Sequence, residues 1–476
     1  MVLGETSTRN AARYLAVPRV VPPLDPGFRP AVLARHALGA AIRESGGGQS
    51  VALAVQQPGG SVYARETLVF DDGHPDVGAS YLFCERLLKS MLWSCGGSRI
   101  WVDGPPGLAP YLRRHYQVEP TGQFDARLLG GEVYRAPFEV VAARRPDFPS
   151  SADEITLLGR HLDGCRIGFD LGASDRKVAA VIDGEVVFSE ETAWDPANHA
   201  DPQWHYEQIN ASLQRAAAHL PRVDAIGGSA AGVYVDSEIR VASLFRSVPR
   251  ELFDRHVRGL FGELRRDWNG IPFVVVNDGE VTALAGAMLT GVGGLLGVAM
   301  GSSEAAGYVT SSGGLTSRLN ELAFAPIDYA PDAPVDEWSG DRGCGVQYLS
   351  QQGAGRLLAP AGIEVEPGIS LPERLVLLQD LMAGGDARAA RVYETIGTYL
   401  GYALLEYRES YEFGHLLLLG RVTTGAGGDV IANRAREAMQ VEDPAAAASV
   451  TFHTVPEREK RHGQAMAAAS LPAIQA

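Results

Sequence analysis

The residues best suited to chemistry lie in four loops, and each loop directly follows a short apolar segment. The first loop, 170–177, reads Asp-Leu-Gly-Ala-Ser-Asp-Arg-Lys, and the second contains Asn277 and Asp278. The third loop begins at Gly301, and the glycine-rich fourth loop spans 420–428. Small residues at the end of a strand allow backbone N–H groups to approach a polyanion closely. Four such loops in one chain therefore predict a cleft that holds a nucleotide and an acceptor.

Asp278 is the candidate catalytic group in the second loop. It follows the apolar run 273–276, which is typical of a strand buried on both faces. In α/β proteins the clefts open at the C-terminal ends of such strands. A carboxylate held there could accept the proton of a hydroxyl that attacks a phosphoryl group, and Asn277 could orient another hydroxyl. An Asn-Asp pair can equally cap the following helix, so the sequence leaves both interpretations open.

The first loop is a candidate phosphate site. The backbone of Gly172, Ala173 and Ser174 could contact phosphates, with the Ser174 hydroxyl as an additional donor. Asp170 suits a Mg²⁺ ion that is coordinated through water beside those phosphates. The same residues also fit an ordinary β-turn. The loop is not a Walker A motif, because the spacing GxxxxGK[ST] is absent.

Alternating strand and helix patterns from about residue 160 onward place these loops in an α/β protein. The first strand is expected over 165–169, and a long helix over 251–268. The dipeptide Asp183-Gly184 between the next two strands predicts a hairpin. The first sheet should therefore be mixed.

Residues 1–150 are interpreted as a separate α+β domain of unknown role, because a linker rich in Pro and polar residues follows at 144–153. Prolines exclude a helix over 1–30 and predict an arm that lies over the surface. The pattern over 128–141 predicts a strand.

Composition excludes several classes of protein. The 476 residues carry 42 Lys and Arg against 57 Asp and Glu, and this net charge of −15 argues against a duplex nucleic-acid binder. The four cysteines form no CxxC pair and are too few for a disulfide scaffold, so we expect a cytoplasmic protein. The uncharged segment 281–301 contains several glycines, and we interpret it as a helix end, a turn and a strand rather than a membrane span.

The order of the motifs resembles the ROK family, the repressors and sugar kinases of the actin–hexokinase superfamily. The similar segments are Asp170-x-Gly172-x-Ser174 (DxGGT in the family), 228–236 (GxPGxxD), Asn277-Asp278-x-Glu280 (NDxN), 300–303 (LGTG) and 420–428 (GGGVxxxG). The resemblance covers about 165–476. It implies a two-lobed, actin-like ATPase (ribonuclease H-like) fold with lobes at 160–290 and 291–476, and it allows the last helix to return to the first lobe.

The resemblance also implies an ATP-dependent kinase for a sugar or sugar-like polyol. In that family Asp278 corresponds to the catalytic base. Residues that correspond to acceptor contacts are Asn277, Glu321 and Gly232. Residues that correspond to nucleotide contacts are Asp170, Gly172, Ala173, Ser174, Gly301, Ser302, Gly420 and Gly425, with Mg²⁺ near Asp170. Dimers are common in the family, so a homodimer is expected.

Several departures from the family pattern qualify this expectation. Phe324 replaces a histidine that binds zinc or the sugar, and Val346 replaces a glutamate that contacts the sugar. Only Cys344 is left of the thiolates of the zinc motif, so no structural zinc is expected. We expect the carboxylates within 336–341 to be solvated or paired with Arg342. The lost contacts argue against plain glucose as the best substrate.

An alternative is a catalytically inactive ROK-like protein that binds a ligand and regulates a partner. A DNA-binding repressor is a third possibility, but residues 1–150 are strand-rich and not basic, whereas family repressors carry a winged helix-turn-helix there. We therefore expect a small-molecule sugar or polyol as ligand, and neither nucleic acid nor membrane as partner.

Overall fold

The computed structural model of the protein describes residues 10–150, 155–156, 158–454 and 457–474. Its strands are β1 Gln49–Gln56, β2 Val62–Val69, β3 Arg99–Asp103, β4 Glu139–Ala142, β5 Ile155–Thr156, β6 Cys165–Leu171, β7 Asp175–Ile182, β8 Glu185–Ala193, β9 Ala225–Ala230, β10 Val233–Val235, β11 Glu238–Val241, β12 Phe273–Asn277, β13 Leu295–Met300, β14 Glu304–Val309, β15 Leu315–Thr316, β16 His415–Leu419 and β17 Thr451–Thr454. Its α-helices are α1 Ala31–Ser45, α2 Val77–Cys95, α3 Leu108–Val118, α4 Pro120–Ala126, α5 Pro202–Ala217, α6 Arg250–Leu252, α7 Leu260–Asp267, α8 Asp278–Thr290, α9 Gln351–Leu357, α10 Leu371–Ala383, α11 Ala387–Tyr407, α12 Ala426–Glu442, α13 Pro444–Ala448 and α14 Glu457–Ala469.

Two mixed sheets form the centres of two lobes. The first has the order β12-β9-β6-β7-β8, in which β12, β9 and β6 are parallel and β7 and β8 are antiparallel additions. The second has the order β17-β16-β13-β14-β15-β5, with β17, β16 and β13 parallel and β14 antiparallel. Counted within each lobe, both contain the order 3-2-1-4-5. This repetition confirms the predicted two-lobed α/β fold with mixed sheets.

The topology also explains the positions of the four predicted loops. They follow β6, β12, β13 and β16, which are all parallel strands of the two sheets. The carboxyl ends of parallel strands meet at one edge of a sheet, so each lobe presents two of the loops at the same edge. The predicted hairpin is also present, with φ of 48° at Asp183 and 85° at Gly184 between β7 and β8.

An α+β domain precedes the lobes and is built on the sheet β2-β1-β3-β4. Helix α2 packs against β1 and β2, and its apolar side chains form much of the domain core. The predicted strand over 128–141 is wrong, because α4 begins at Pro120 and continues through a wide helical turn at Arg127–Val133. Proline is favoured in the first turn of a helix, and only β4 is extended.

The polypeptide before α1 is integrated into the second lobe rather than laid over its surface. Val20 and Phe28 are buried in the core of that lobe, and the Phe28 ring lies 4.9 Å from the Tyr399 ring on α11. Pro30 forms an isolated bridge with Asp328. The surface arm predicted for 1–30 is therefore wrong for these residues, and 1–9 lie outside the described part of the chain.

The last helix packs against the first sheet. α14 contacts β6, β9 and α8, and a Cβ at Gly227 would overlap the carbonyl oxygen of Ala468. The helix predicted over 251–268 is divided into α6, a wide turn at Phe253–Val257 and α7. Of the helices that the structure describes, none combines the length and the apolar composition needed to cross a membrane.

Candidate functional site

A cleft of about 670 Å³ lies between the two sheets and is bounded by α8 and α14. The first lobe contributes Asp175 and Lys177 from β7, and Asp278 lines it at the start of α8. The second lobe contributes Gly420 and Arg421 after β16. The cleft therefore brings together residues of three of the four loops that the sequence singled out.

Asp170 lies at the end of β6, where it is almost fully buried and carries two polar contacts. The Ser229 hydroxyl donates to its Oδ1 at 2.7 Å, and the Lys177 ammonium lies 3.4 Å from its Oδ2. The same ammonium lies 3.0 Å from Asp175 Oδ1. Burial raises the pKa of Asp170, and the Ser229 hydrogen bond and Lys177 oppose that rise. Lys177 thus joins the buried Asp170 to Asp175, which lines the cleft.

Asn277 and Asp278 have different positions at the start of α8. The Asn277 side chain caps the helix by accepting from Gly279 N at 2.7 Å, and its Nδ2 donates to Gly232 O at 2.6 Å. Asp278 is the first helical residue and lines the cleft. Burial, followed by the charge of Asp170, raises the pKa of Asp278 to about 6. The helix cap expected as an alternative is therefore present: Asn277 forms its shorter hydrogen bond, and Asp278 Oδ1 also accepts from Gly279 N at 3.0 Å.

The two loops of the second lobe are neighbours because β13 and β16 pair in parallel. Gly420 has φ of +92°, and a Cβ there would overlap the backbone of Met300 at the end of β13. Gly425 follows in the same loop and immediately precedes α12. The exposed Ser302 belongs to the loop after β13. Glycine at 420 allows the two backbones to approach at the edge of the cleft.

Two of the amides expected to bind phosphate are used inside their own turns. Gly172 N donates to Asp175 O at 2.9 Å, and Gly301 N donates to Ser303 O at 2.9 Å. The indole of Trp194 donates to Gly172 O at 2.8 Å and holds the first turn in place. The contribution of these loops to a phosphate site therefore cannot rest on the N–H groups of Gly172 and Gly301 in this conformation.

Two further carboxylates, Glu321 and Glu280, interact electrostatically in series with Asp278. Burial, followed by the charge of Asp278, raises the pKa of Glu321 to about 7. Burial also raises the pKa of Glu280 to about 8, although the Asn320 amide lies 3.3 Å from its Oε1 and favours the ionised form. Glu280 occupies the position of the second Asn of the family motif. Low-polarity surroundings and mutual repulsion thus act together on these three acids.

The loop that replaces the family zinc motif is held by ion pairs. The Arg86 guanidinium lies 2.8 Å and the Lys89 ammonium 2.9 Å from Asp341 Oδ2, and Lys89 also lies 2.9 Å from Asp125. The guanidinium of Arg342 instead donates to a backbone carbonyl. The expectation of a solvated or Arg342-paired loop is therefore wrong for Asp336 and Asp341, which are buried, whereas Glu337 is exposed to solvent. Among the residues that the structure describes, no group of three or more His, Cys, Asp or Glu side chains could hold a metal ion.

No sequence motif assigned a role to Lys177, Asp175 or Trp93. The first two could have been found, because residues two apart on a strand point to the same face and both follow Asp170 closely. Trp93 lies in the N-terminal domain, and its ring centroid is 4.3 Å from that of Phe324. No local pattern in the sequence relates two residues so far apart in the chain.

Solved structures of the ROK family have a similar fold. A ROK hexokinase from Thermus thermophilus is 18% identical and aligns with 64% of this chain and 97% of its own, with a TM-score of 0.50. A ROK family transcriptional regulator, a homologue of the E. coli MLC protein, is 17% identical over 65% of this chain and 79% of its own, with a TM-score of 0.52. No protein-family model matches the sequence, and the comparison with curated proteins found no match.

These similarities confirm that the chain has the two-lobed fold of ROK proteins, as the order of its motifs indicated. About a third of the chain has no counterpart in either structure. One of the two proteins is a hexokinase and the other a transcriptional regulator, so the fold alone does not distinguish catalysis from ligand sensing.

Proposed function

We propose that this protein is a ROK-like, ATP-dependent transferase that phosphorylates a hydroxyl of a sugar or sugar-like polyol. The observation that carries the proposal is the position of Asp278. It begins a helix and lines the cleft together with Lys177, and it interacts electrostatically with Asp170 and Glu321. A carboxylate whose pKa is raised to about 6 is ionised at neutral pH and is a stronger base than an ordinary aspartate.

The proposed reaction is an in-line transfer of the γ-phosphoryl group. The acceptor oxygen forms a bond to the γ-phosphorus, and the bond from that phosphorus to the bridging oxygen of ADP breaks. Asp278 accepts the proton that the acceptor hydroxyl loses. Glu321 and Asn277 hold other hydroxyls of the acceptor, and the Gly232 carbonyl keeps the Asn277 amide in place.

The nucleotide would extend from β7 to the loop after β16. The Lys177 ammonium would neutralise phosphate charge, and Gly420 allows close approach of the backbone. Arg421 and Thr424 line both this cleft and an adjoining pocket of about 360 Å³, whose other lining residues include Val376. That pocket has the size and the apolar wall needed for an adenosine group.

The carboxylates in the cleft fit a magnesium ion that binds mainly through water. Asp175 and Asp278 line the cleft, and Asp170 lies behind Lys177; their oxygens are the hard donors that Mg²⁺ prefers, and Mg²⁺ commonly uses one or two carboxylates together with substrate phosphates. Mg²⁺ held at Asp170 would supply positive charge to the phosphates of ATP. The adjacent Lys177 limits how many of these oxygens can contact a cation at once.

Phosphorylation of a panel of sugars and polyols tests the proposal. We expect ADP release from ATP and Mg²⁺ that depends on one or a few acceptors, with glucose not the best of them. Asp278→Asn should reduce this acceptor-dependent rate by about 10²–10⁴-fold. Asp254→Asn, at an exposed carboxylate outside the cleft lining, is the matched control and should leave the rate unchanged. Acceptor-independent ADP release in all three proteins would contradict the proposal.

The second candidate is a regulatory protein that binds the same ligand without turnover. The observation that favours it is the changed set of acceptor residues: Phe324, packed on the Trp93 ring, stands where the family has a histidine, and the acidic Glu280 replaces an amide. In this case calorimetry would detect sugar binding, whereas phosphorylated product would not form. The homodimer and the cytoplasmic location stay predictions from the sequence.

A further inference from the structure

We infer that the N-terminal domain completes the acceptor side of the site, with Trp93 as a positioning residue for Glu321. The inference rests on the proposed function, because it assigns Glu321 to acceptor binding. It gives a role to a domain whose role the sequence leaves open. Three sets of contacts between α2 and the second lobe support it.

The first set of contacts is between backbones. The last four carbonyl groups of a helix lack partners within the helix. At the end of α2, Trp93 O accepts from Glu321 N at 2.9 Å, and Ser94 O accepts from Asn320 N at 3.0 Å. The Tyr411 hydroxyl donates to Ser94 O at 3.2 Å. The segment that carries Glu321 therefore caps this helix, and movement of either one displaces the other.

The second contact is between aromatic rings. Trp93 is 1% exposed, and its indole N–H donates to Asp125 Oδ1 at 3.0 Å, which fixes the orientation of the ring. The ring lies 4.3 Å from that of Phe324, centroid to centroid. Phe324 belongs to the same short turn as Glu321, because its N–H donates to Glu321 O at 3.2 Å. The position of the Trp93 ring is thus transmitted to Glu321 through Phe324.

The third set of contacts is ionic and almost excluded from water. Lys89 has no exposed side-chain surface and binds both Asp125 and Asp341, while Arg86 binds Asp341 from the same helix. Buried pairs of this kind favour one relative position, because displacement leaves an unpaired charge in the interior. α2 is consequently held against the second lobe on both sides of the turn that carries Glu321.

This arrangement connects the domain to the reaction because Glu321 lies near enough to Asp278 for the charge of Asp278 to raise the pKa of Glu321. The acceptor would bind beside both carboxylates. A smaller side chain at position 93 would remove the support behind Phe324 and allow the turn to relax. Acceptor binding should then weaken, whereas the nucleotide cleft, which α2 does not line, should be unaffected.

Kinetics of Trp93→Leu, Trp93→Phe and Trp101→Leu test the inference. Trp101 is the matched control, since it lies in the same domain and its indole donates to Gln56 at 2.9 Å. Its ring packs against Phe148, which precedes both lobes. We expect Trp93→Leu to raise the KM for the acceptor at least tenfold, with the Kd for ATP within twofold of wild type. Trp93→Phe should recover most of the loss, and Trp101→Leu should behave as wild type.

Hydrogen exchange provides a measurement that does not need activity. The amides of Asn320 and Glu321 should exchange at least tenfold faster in Trp93→Leu than in Trp101→Leu, because they donate to the end of α2. If Trp93→Leu does not fold, Phe324→Leu removes the same ring contact from the other side and should give the same result.

The outcomes separate this inference from the proposed function. If the protein phosphorylates a sugar and Trp93→Leu leaves the KM for the acceptor unchanged, the positioning role is overturned and the kinase assignment stays intact. An equal loss of ATP and acceptor affinity would also overturn it, since that is a general loosening of the fold. Sugar binding that depends on Trp93 without any phosphorylation would support the positioning role and contradict the proposed function.

Discussion

The pH dependence of turnover should report the ionisation of Asp278. A general base must be deprotonated, and burial together with the charge of Asp170 raises the pKa of Asp278 to about 6. At pH 7 about nine-tenths of this carboxyl is ionised, and at pH 5 about one-tenth. The acceptor kcat/KM at saturating ATP and Mg²⁺ should therefore fall about tenfold between pH 7 and pH 5.

Lys177→Met should move this acid limb to higher pH. The Lys177 ammonium lies 3.4 Å from Asp170 and 3.0 Å from Asp175, so its removal leaves both negative charges unbalanced. The negative charge of Asp170 is one of the causes of the raised pKa of Asp278. Without the Lys177 ammonium beside it, this charge repels ionised Asp278 more strongly. We expect a displacement of about one pH unit, which corresponds to about 1.4 kcal/mol.

A coupled assay of ADP formation between pH 5 and pH 8.5 measures both effects. Lys177→Arg, which keeps the positive charge, is the control and should retain the wild-type limb. Binding of a nonhydrolysable ATP analogue at each pH separates titration of the nucleotide from titration of the enzyme. A flat profile below pH 7, or a limb that Lys177→Met leaves unchanged or moves to lower pH, would refute the assignment of the limb to Asp278.

Three further predictions concern stability and the nucleotide loop. Glu304 is 2% exposed and burial raises its pKa from 4.5 to about 8, so the folded state binds its proton more tightly and stability falls as the pH rises between these values. Glu304→Gln should therefore raise the free energy of unfolding near pH 9, by no more than about 5 kcal/mol, and leave it unchanged near pH 5. Equal effects at both pH values would contradict this. Gly420→Ala should cost about 1–3 kcal/mol in urea unfolding and weaken ATP binding, because its Cβ would overlap the backbone of Met300. Lys89→Met should lower the free energy of unfolding by about 3–5 kcal/mol, because Asp125 stays buried without its cation. Arg99→Met, at an exposed pair, should lower it by under about 1 kcal/mol. Similar losses in the two variants would show that burial is not the cause.

Local patterns predicted the elements that carry the cleft. The all-apolar β12, the Asp183-Gly184 hairpin and the glycine-rich loop after β16 are each specified by a few adjacent residues. Their order along the chain resembles that of the ROK family, and this resemblance implied the two lobes. The wide helical turn at 127–133 was mistaken for a strand. Over such a short length its apolar residues fit the period of a strand as well as that of a helix.

Contacts between distant segments could not be predicted in this way. The segment before α1 resembles a surface arm because of its prolines, yet Phe28 is enclosed by aromatic rings of the second lobe. Asp341 looks like a loop carboxylate in the sequence, and its partners Arg86 and Lys89 lie more than 200 residues away. Burial and charge pairing of this kind depend on how the domains assemble, which no single stretch of sequence specifies.

Transfer of the γ-phosphoryl group in a single turnover tests the central claim most directly. The rate of transfer is measured with enzyme in excess over γ-labelled ATP, in the presence of Mg²⁺ and the best acceptor of the panel. Wild type and Asp278→Asn are compared, and the ATP affinity of both is measured. We predict transfer to the acceptor at least about a hundredfold slower in Asp278→Asn, with ATP affinity within twofold of wild type. Equal transfer rates in the two proteins would contradict the role of Asp278 as the base.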